Sequence, residues 1–342
     1  ALIGTDQTML IQTQLEIQLP IELLGELNCL CSLDRGCSST KIVIVQLPSK
    51  QQSTDKFKIT FALAKNSEFD AVLDWLADTL PADPERGTRT IALTGGGSAL
   101  HQEKICDKLR VQQPIFVDEL VGQARGCIWL IKQAPAAEVF YDDDFLTPLD
   151  EDVPLPALYV FSGSGNGLTL LYPDGSKCQD HIMMHGGKAF LGLSALVLGT
   201  SDYDEITGLA ERAGPIEALD SRLGDFDMRP EQLDGLTREQ KALRLASWFA
   251  RWSAYFVDHG IRTSGIARVY LGCNFWRAKV LRELFAFNLR QRLLGTEFAS
   301  SLKLRAFRTG HTGALGSMVT QSGKELSYIR EDGFCRDVDS DY

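Results

Sequence analysis

Three glycine-bearing segments have residue types and spacing suited to holding a phosphate. The first, Asp34-Arg35-Gly36-Cys37-Ser38-Ser39-Thr40-Lys41, runs from an acidic residue through small residues directly into a β-branched run. Such a turn aims backbone N–H groups and a hydroxyl at an anion, while the Asp34 carboxylate holds a magnesium-bound water and Lys41 adds charge. Taken alone, the segment reads better as an ordinary strand-entry turn. The second is Ser162-Gly163-Ser164-Gly165-Asn166-Gly167, whose glycines let main chain approach an anion and whose Ser164 offers a hydrogen bond. It has neither the Lys-Ser/Thr ending of a P-loop nor the strand-to-helix setting of a dinucleotide fingerprint, and a plain surface hairpin has the same composition. In the third, Gly310-His311-Thr312-Gly313-Ala314-Leu315-Gly316, small residues lead into a helix and suit close packing on a nucleotide or on a neighbouring helix.

Metal-ligand patterns are poor. His181 and His185 stand four apart with no carboxylate to complete a site, and Cys29, Cys31 and Cys37 cluster without a second ligand pair, which reads as buried small residues.

The elements that must position these segments follow from periodicity. Lys41 to Leu47 and Lys56 to Ala62 read as paired strands, and Phe69, Val72, Leu73 and Leu76 recur at helical spacing after them. Thr90 to Leu93 is a further strand, delivering Thr94-Gly95-Gly96-Gly97 to a helix beginning near Ser98. An acidic, proline-containing stretch from Tyr141 to Pro156 separates two halves. Leu158 to Phe161 and Leu168 to Tyr172 flank the second glycine segment as a hairpin. Helical spacing then dominates over Phe190 to Leu198, Asp204 to Arg212, Arg238 to His259 and Lys279 to Leu294, with a strand at Ala267 to Leu271. Trp248, Trp252, Tyr255 and Phe256 share one helical segment, as lobe core or as a subunit interface. Strands alternating with helices in both halves predict α/β lobes, and no internal repeat shows at a fixed period.

Composition sets the outer bounds. The 342 residues are 44% hydrophobic and 23% charged, enough for two packed lobes. A net charge of −10 leaves no overall basic field for nucleic acid or an anionic membrane. No apolar run reaches the ~18 residues of a transmembrane helix. Eight cysteines, mostly in apolar stretches, predict a reducing, intracellular setting, cytoplasmic or organellar. A mitochondrial placement after removal of a targeting segment is compatible with the start at Ala1.

Two phosphate loops in two halves of one chain, each attached to a hairpin, resemble the plan of the actin, sugar-kinase and Hsp70 superfamily, with its two ribonuclease H-like lobes. Over roughly Ser32 to Met318 the resemblance sharpens to the type II pantothenate kinases. The family's Asp-Ile-Gly-Gly-Thr-x-x-Lys is similar to Asp34 to Lys41, with Gly36 and Lys41 in register and Ser38 for the threonine. Its Thr-Gly-Gly-Gly turn matches Thr94 to Gly97, and its Asp-Glu-Leu and Lys-Gly helix resemble Asp118-Glu119-Leu120 and Arg125-Gly126. The family's Gly-Ser-Gly hairpin is Gly163-Ser164-Gly165, and its glycine-led Phe-Leu-Gly-Leu helix resembles Gly186-Gly187-Lys188-Ala189-Phe190-Leu191-Gly192-Leu193. Its Val-Gly-Asn-Phe-Leu-Arg resembles Leu271 to Arg277 with one residue inserted, and its Gly-Tyr-Phe-Gly-Ala-Val-Gly is similar to Gly310 to Gly316.

The resemblance implies a two-lobed ATP-binding α/β fold. It places the phosphate contacts at Asp34, Gly36, Ser38, Lys41, Gly163, Ser164 and Gly165, with magnesium through Asp34 and Gly310, Gly313 and Gly316 near the nucleotide. Mg-ATP is the implied cofactor, a homodimer or larger assembly the implied state, and pantothenate or acyl-coenzyme A the implied small ligands. The lobes are expected over 29–155 and 156–319. The segment 1–28 lies outside the resemblance as a docking segment or an added strand, and 320–342 is a polar acidic tail.

The departures fall on the chemistry. The family glutamate that acts on the pantothenate hydroxyl aligns with Gln102, and Glu103 is the adjacent carboxylate, about 100° away on an undisturbed helix. A family arginine aligns with Gln179, a Gly-Thr-Ser with Ile182-Met183-Met184, and Lys188 replaces the third glycine. Loss of a general base typically slows a reaction by about two to four orders of magnitude. The expectation is therefore a pseudokinase with weakened or lost transfer, acting as a structural or regulatory subunit. The alternative is an active pantothenate kinase that uses Glu103 as its base.

Overall fold

The computed structural model describes residues 11–36, 39–48, 55–81, 87–141, 145, 147–149, 152–174, 177–183, 185–214 and 233–319. In the first half, strands β1 (Gln12–Pro20), β2 (Cys31–Arg35), β3 (Ser39–Gln46) and β4 (Lys56–Lys65) precede helix α1 (Phe69–Thr79). Then come β5 (Ala92–Thr94), α2 (Gly96–Leu100), α3 (Gln102–Leu109), β6 (Ile115–Phe116), α4 (Glu119–Gln133) and α5 (Ala136–Val139). The second half holds β7 (Phe140–Tyr141), β8 (Ala157–Ser162), β9 (Asn166–Leu171), β10 (Lys177–Met183), α6 (Gly187–Leu198), α7 (Tyr203–Arg212) and α8 (Arg238–Ser264). It ends with β11 (Arg268–Gly272), α9 (Lys279–Leu293), β12 (Lys303–Phe307) and α10 (Thr312–Met318).

These strands form two six-stranded sheets, ordered β1-β4-β3-β2-β5-β6 and β10-β9-β8-β11-β12-β7. Without the edge strands β1 and β7, the two sheets share one plan. Three antiparallel strands (β2-β3-β4; β8-β9-β10) are followed by two strands parallel to the first (β5, β6; β11, β12). The lobes thus repeat one architecture that shows no fixed sequence period. Burial patterns explain their persistence: β8 and β9 are buried at every position, as central strands covered on both faces should be.

The N-terminal segment supplies an added strand. β1 pairs antiparallel with β4 from Gln12↔Leu63 to Pro20↔Lys56 and buries Ile17 and Leu19. Pro20 ends the edge strand, where its missing N–H costs no ladder bond. β7 adds an edge to the second sheet by pairing Phe140 and Tyr141 with Phe307 and Ala306.

Helices divide between the faces. Phe69, Val72, Leu73 and Leu76 of α1 join Leu33, Ile42, Leu93 and Ile105 in one core. The 27-residue α8, opened by a Thr237–Gln240 capping box and closed by left-handed Gly265, is the spine of the second lobe. Phe256 is buried there, whereas Trp252 and Tyr255 remain exposed. Among the described residues no helix is long and apolar enough to cross a membrane.

α10 returns the chain to the first lobe. It packs on α4 and β2, and Leu27 and Val319 form an antiparallel bridge beside it. The α4–α10 crossing is very close because Gly122 and Gly126 of α4 face Gly313 and Gly316 of α10. A Cβ at Gly126 would overlap the Thr312 carbonyl, and one at Gly316 would overlap that of Gly122.

Candidate functional site

The site gathers where the central strands of the first lobe end. Asp34 and Lys41 face each other across the β2–β3 hairpin, and Lys41 Nζ donates to Asp34 Oδ2 at 2.6 Å. Asp34 is 1% exposed, and its other oxygen, Oδ1, has no hydrogen-bond partner. Burial alone would lower the Lys41 pKa, but the Asp34 charge and hydrogen bond outweigh it and the net shift is upward.

Around this pair the backbone closes in. Gly95 takes φ +81°, a conformation other residues resist, and a Cβ there would lie 2.7 Å from Asp34 Oδ1. A Cβ on Gly97 would sit 2.5 Å from the Arg35 carbonyl, so the Gly95–Gly97 turn is pressed against Asp34 and Arg35. Ser98 fixes the turn by accepting from Arg35 N at 3.1 Å. Thr94, opposite Asp34 in the β2–β5 register, has a buried Oγ1 with no partner. Cys37 and Ser38, and with them the hydroxyl expected to meet a phosphate, lie outside the described residues.

Elements from beyond the first sheet complete the surround. Asp118 caps α4 by accepting from Leu120 N and Val121 N, which places Glu119 in the first helical turn. Burial and then the Asp34 charge raise the Glu119 pKa. Glu119 accepts from Gln123 Nε2 at 3.3 Å, and Cys273 Sγ lies 3.7 Å from Gln123 Oε1. A Cβ on Gly313 would be 3.3 Å from both Asp34 Oδ2 and Gln123 Cγ. Glu119 was legible only as part of the Asp-Glu-Leu match, and Gln123, one helical turn on, was not singled out by the sequence; the N-cap aspartate is the local signal that orients both. Cys273, with φ +69°, follows β11 and carries a thiol whose pKa burial pushes up to about 11.

The second hairpin occupies the equivalent place in the second lobe. Gly163 N donates to Gly165 O at 2.8 Å, and Gly187 N, at the start of α6, donates to Gly163 O at 2.7 Å. Gly186 has no room for a side chain against the Gly165 backbone, so the hairpin tip seats directly on the helix start. Ser164 and Lys188 are exposed there. Gln179 lies in β10 opposite Thr169, just before a register shift, and Met183 lies opposite Asn166.

Gly310 backs on the Asn274 main chain, and Gly316 is occupied by the α4 crossing. His311 between them is fully buried: Nε2 donates to Ala62 O at 2.6 Å, so Nδ1 is the acceptor from Thr309 Oγ1 at 2.7 Å. Burial lowers its pKa to about 3.

The helix carrying Gln102 is not continuous with the glycine turn. α2 stops at Leu100, His101 takes φ −113° and ψ 15°, and α3 starts afresh at Gln102. Gln102 and Glu103 are therefore the first two residues of α3, both exposed, with the His101 ring against Phe69 at 5.7 Å. The expectation of one helix from near Ser98 fails at this break.

A phosphate-bound magnesium fits these residues. Asp34 has an unengaged buried oxygen, and magnesium takes one or two carboxylates while keeping waters and phosphate oxygens. Among the described residues no three His, Cys, Asp or Glu side chains converge on a metal, so phosphates would have to supply the remaining ligands. A separate cavity of about 320 Å³ lies at the other end of β2, lined by Cys29, Cys31, Leu80 and Arg89.

Comparisons with known proteins bear on the family and the fold. The family model described as Fumble matches residues 32–243. The 4'-phosphopantetheine phosphatase of Mus musculus is 28% identical over 164 residues, which are 45% of this chain and only 19% of that protein. Among solved structures, the activator of the 2-hydroxyisocaproyl-CoA dehydratase from Clostridium difficile with bound ADPNP has a TM-score of 0.50. It is 15% identical, with 85% of this chain and 92% of that chain covered. A ROK family glucokinase from Streptomyces griseus in complex with glucose and AMPPNP has a TM-score of 0.46 at 10% identity, covering 85% and 98%. At such identities the likeness concerns the fold alone, a two-sheet α/β fold shared with the ADPNP-bound activator.

Proposed function

The chain belongs to the Fumble family, the type II pantothenate kinases, and from that premise we propose that it is a pantothenate-kinase-like pseudokinase that still binds Mg-ATP. The observation that carries this reading is the contrast between two parts of one lobe. The Asp34–Lys41 pair and the tight Gly95–Gly97 turn are intact, whereas an amide, Gln102, stands where the family has its proton acceptor.

Bound magnesium would supply positive charge to offset the phosphates, with Asp34 Oδ1 free to accept from a metal-bound water. Lys41 neutralises the other Asp34 oxygen, and the Gly95 turn keeps bulk away from the first. Gln102 cannot accept a proton as a carboxylate does, so positioning would remain while the proton transfer is lost. The pantothenate unit is common to the family's substrate and to the pantetheine phosphate named for the mouse relative, which supports a ligand of that class. Exposed Trp252, Tyr255 and Leu196 offer apolar area for the homodimer or larger assembly proposed for a structural or regulatory subunit.

A second reading, an active pantothenate kinase, draws on the break at His101, which puts Glu103 as well as Gln102 on the exposed first turn of α3. Turnover of labelled pantothenate with Mg-ATP separates the two. The pseudokinase gives no product above a no-enzyme control and gains activity in the Gln102→Glu/Gln179→Arg variant. Steady product from the unaltered chain, abolished by Glu103→Gln, establishes the second reading instead.

A further inference from the structure

Asp34 and Arg35 are neighbours on a strand and project to opposite faces of the sheet. Asp34 meets Gly313 and the charge of Glu119, while Arg35 meets Phe69 and Gly97. The family turn that resembles Asp34 to Lys41 has isoleucine in the second position, so an arginine here is a gain of charge. Its guanidinium carbon lies 4.4 Å over the Phe69 ring, its Nε is buried without a hydrogen-bond partner, and burial lowers its pKa. Among the described residues no carboxylate pairs with it. A partly exposed guanidinium stacked on an aromatic ring, with no carboxylate partner among the described residues, is left to receive an anion from solvent.

The start of α3 lies on the same face. His101 rests on the Phe69 ring that Arg35 covers, and Gln102 follows it directly. A glutamate at position 102 would repel a phosphate there, whereas the Gln102 amide can donate to one. Two substitutions relative to the family therefore act in the same sense. Arginine for isoleucine adds a positive charge, amide for glutamate removes a negative one, and Lys188 for glycine adds a further positive charge at the start of α6.

We propose that this face of the first-lobe sheet, centred on Arg35 with the neighbouring Gln102, binds the phosphorylated form of a pantothenate-class ligand, the phosphate ester, in preference to the free alcohol. The site would retain a ligand resembling the family's product. This inference rests on the pantothenate-class assignment above.

The test is calorimetric titration of the full chain with 4'-phosphopantothenate, with pantothenate and with inorganic phosphate. The ester is expected to bind at least about tenfold more tightly than pantothenate. Arg35→Ile, which installs the family residue, should remove most of that preference, and Arg35→Lys should keep part of it. A cooperative thermal unfolding transition with a midpoint close to that of the unaltered chain verifies that both variants are folded. Equal affinity for ester and alcohol, or an unaltered preference in Arg35→Ile, overturns this inference and leaves the family-based reading standing. Inorganic phosphate competing as well as the ester also overturns it, by reducing the site to a bare anion seat. Failure of both pantothenate compounds to bind a chain that binds Mg-ATP overturns the inference and the pantothenate-class reading together.

Discussion

Under the proposed function, the Asp34–Lys41 ion pair serves both stability and binding. Breaking a buried pair from one side strands a charge, so Lys41→Met should destabilise the chain by about 3 kcal/mol, read by urea unfolding. His311 makes an opposite kind of contribution. Its folded-state pKa of about 3 lies below the ordinary histidine value of 6.5, so the unfolded chain takes up the proton first as pH falls. Stability from this residue is complete above about pH 6.5. It declines from there towards pH 3, by up to about 1.4 kcal/mol per pH unit. His311→Gln should flatten the slope of unfolding free energy against pH across that window. A slope identical to that of the unaltered chain would mean that His311 does not govern it.

The α4–α10 crossing ties the end of the described chain back to the first lobe, and its closeness depends on hydrogen atoms standing where side chains would be. Gly126→Ala drives a methyl into the Thr312 carbonyl and should cost about 3 kcal/mol or prevent folding. Gly192→Ala provides the control. It lies on the exposed face of α6 with nothing within 4 Å of its added carbon, and should raise stability by about 0.5–1 kcal/mol. Parallel thermal unfolding of the two variants distinguishes a packing requirement from general intolerance of alanine. The interruption between α2 and α3 is equally consequential. By restarting the helix at Gln102, it unties Gln102 and Glu103 from the register of the glycine turn, while the two, as successive residues of α3, stay about 100° apart and both exposed.

For the whole molecule, a ligand that binds only the folded lobes must stabilise them. Mg-ATP at about one hundred times its dissociation constant should add about 2.7 kcal/mol to unfolding, visible as a raised Tm, and Asp34→Ala should abolish the increment. Nucleotide stabilisation without turnover is the signature of the pseudokinase reading. Much of this was already decided by local chemistry. Short β-branched runs, the Gly95–Gly97 turn, the Gly163–Gly165 hairpin and the helical spacing of α1, α8 and α9 each follow from residues close in sequence, and their order identifies the family. The amides at Gln102 and Gln179, where the resemblance places a glutamate and an arginine, are equally a property of the chain read as letters. Tertiary structure alone decided the rest. It set β1 on the edge of β4, repeated one strand order in both lobes without a repeated sequence, and brought α10 back against the first lobe. It also left Asp34 Oδ1 and Arg35 Nε buried without partners. These outcomes depend on which surfaces remain to be covered once distant segments meet, and contacts of that range leave no periodic trace in the residues that make them.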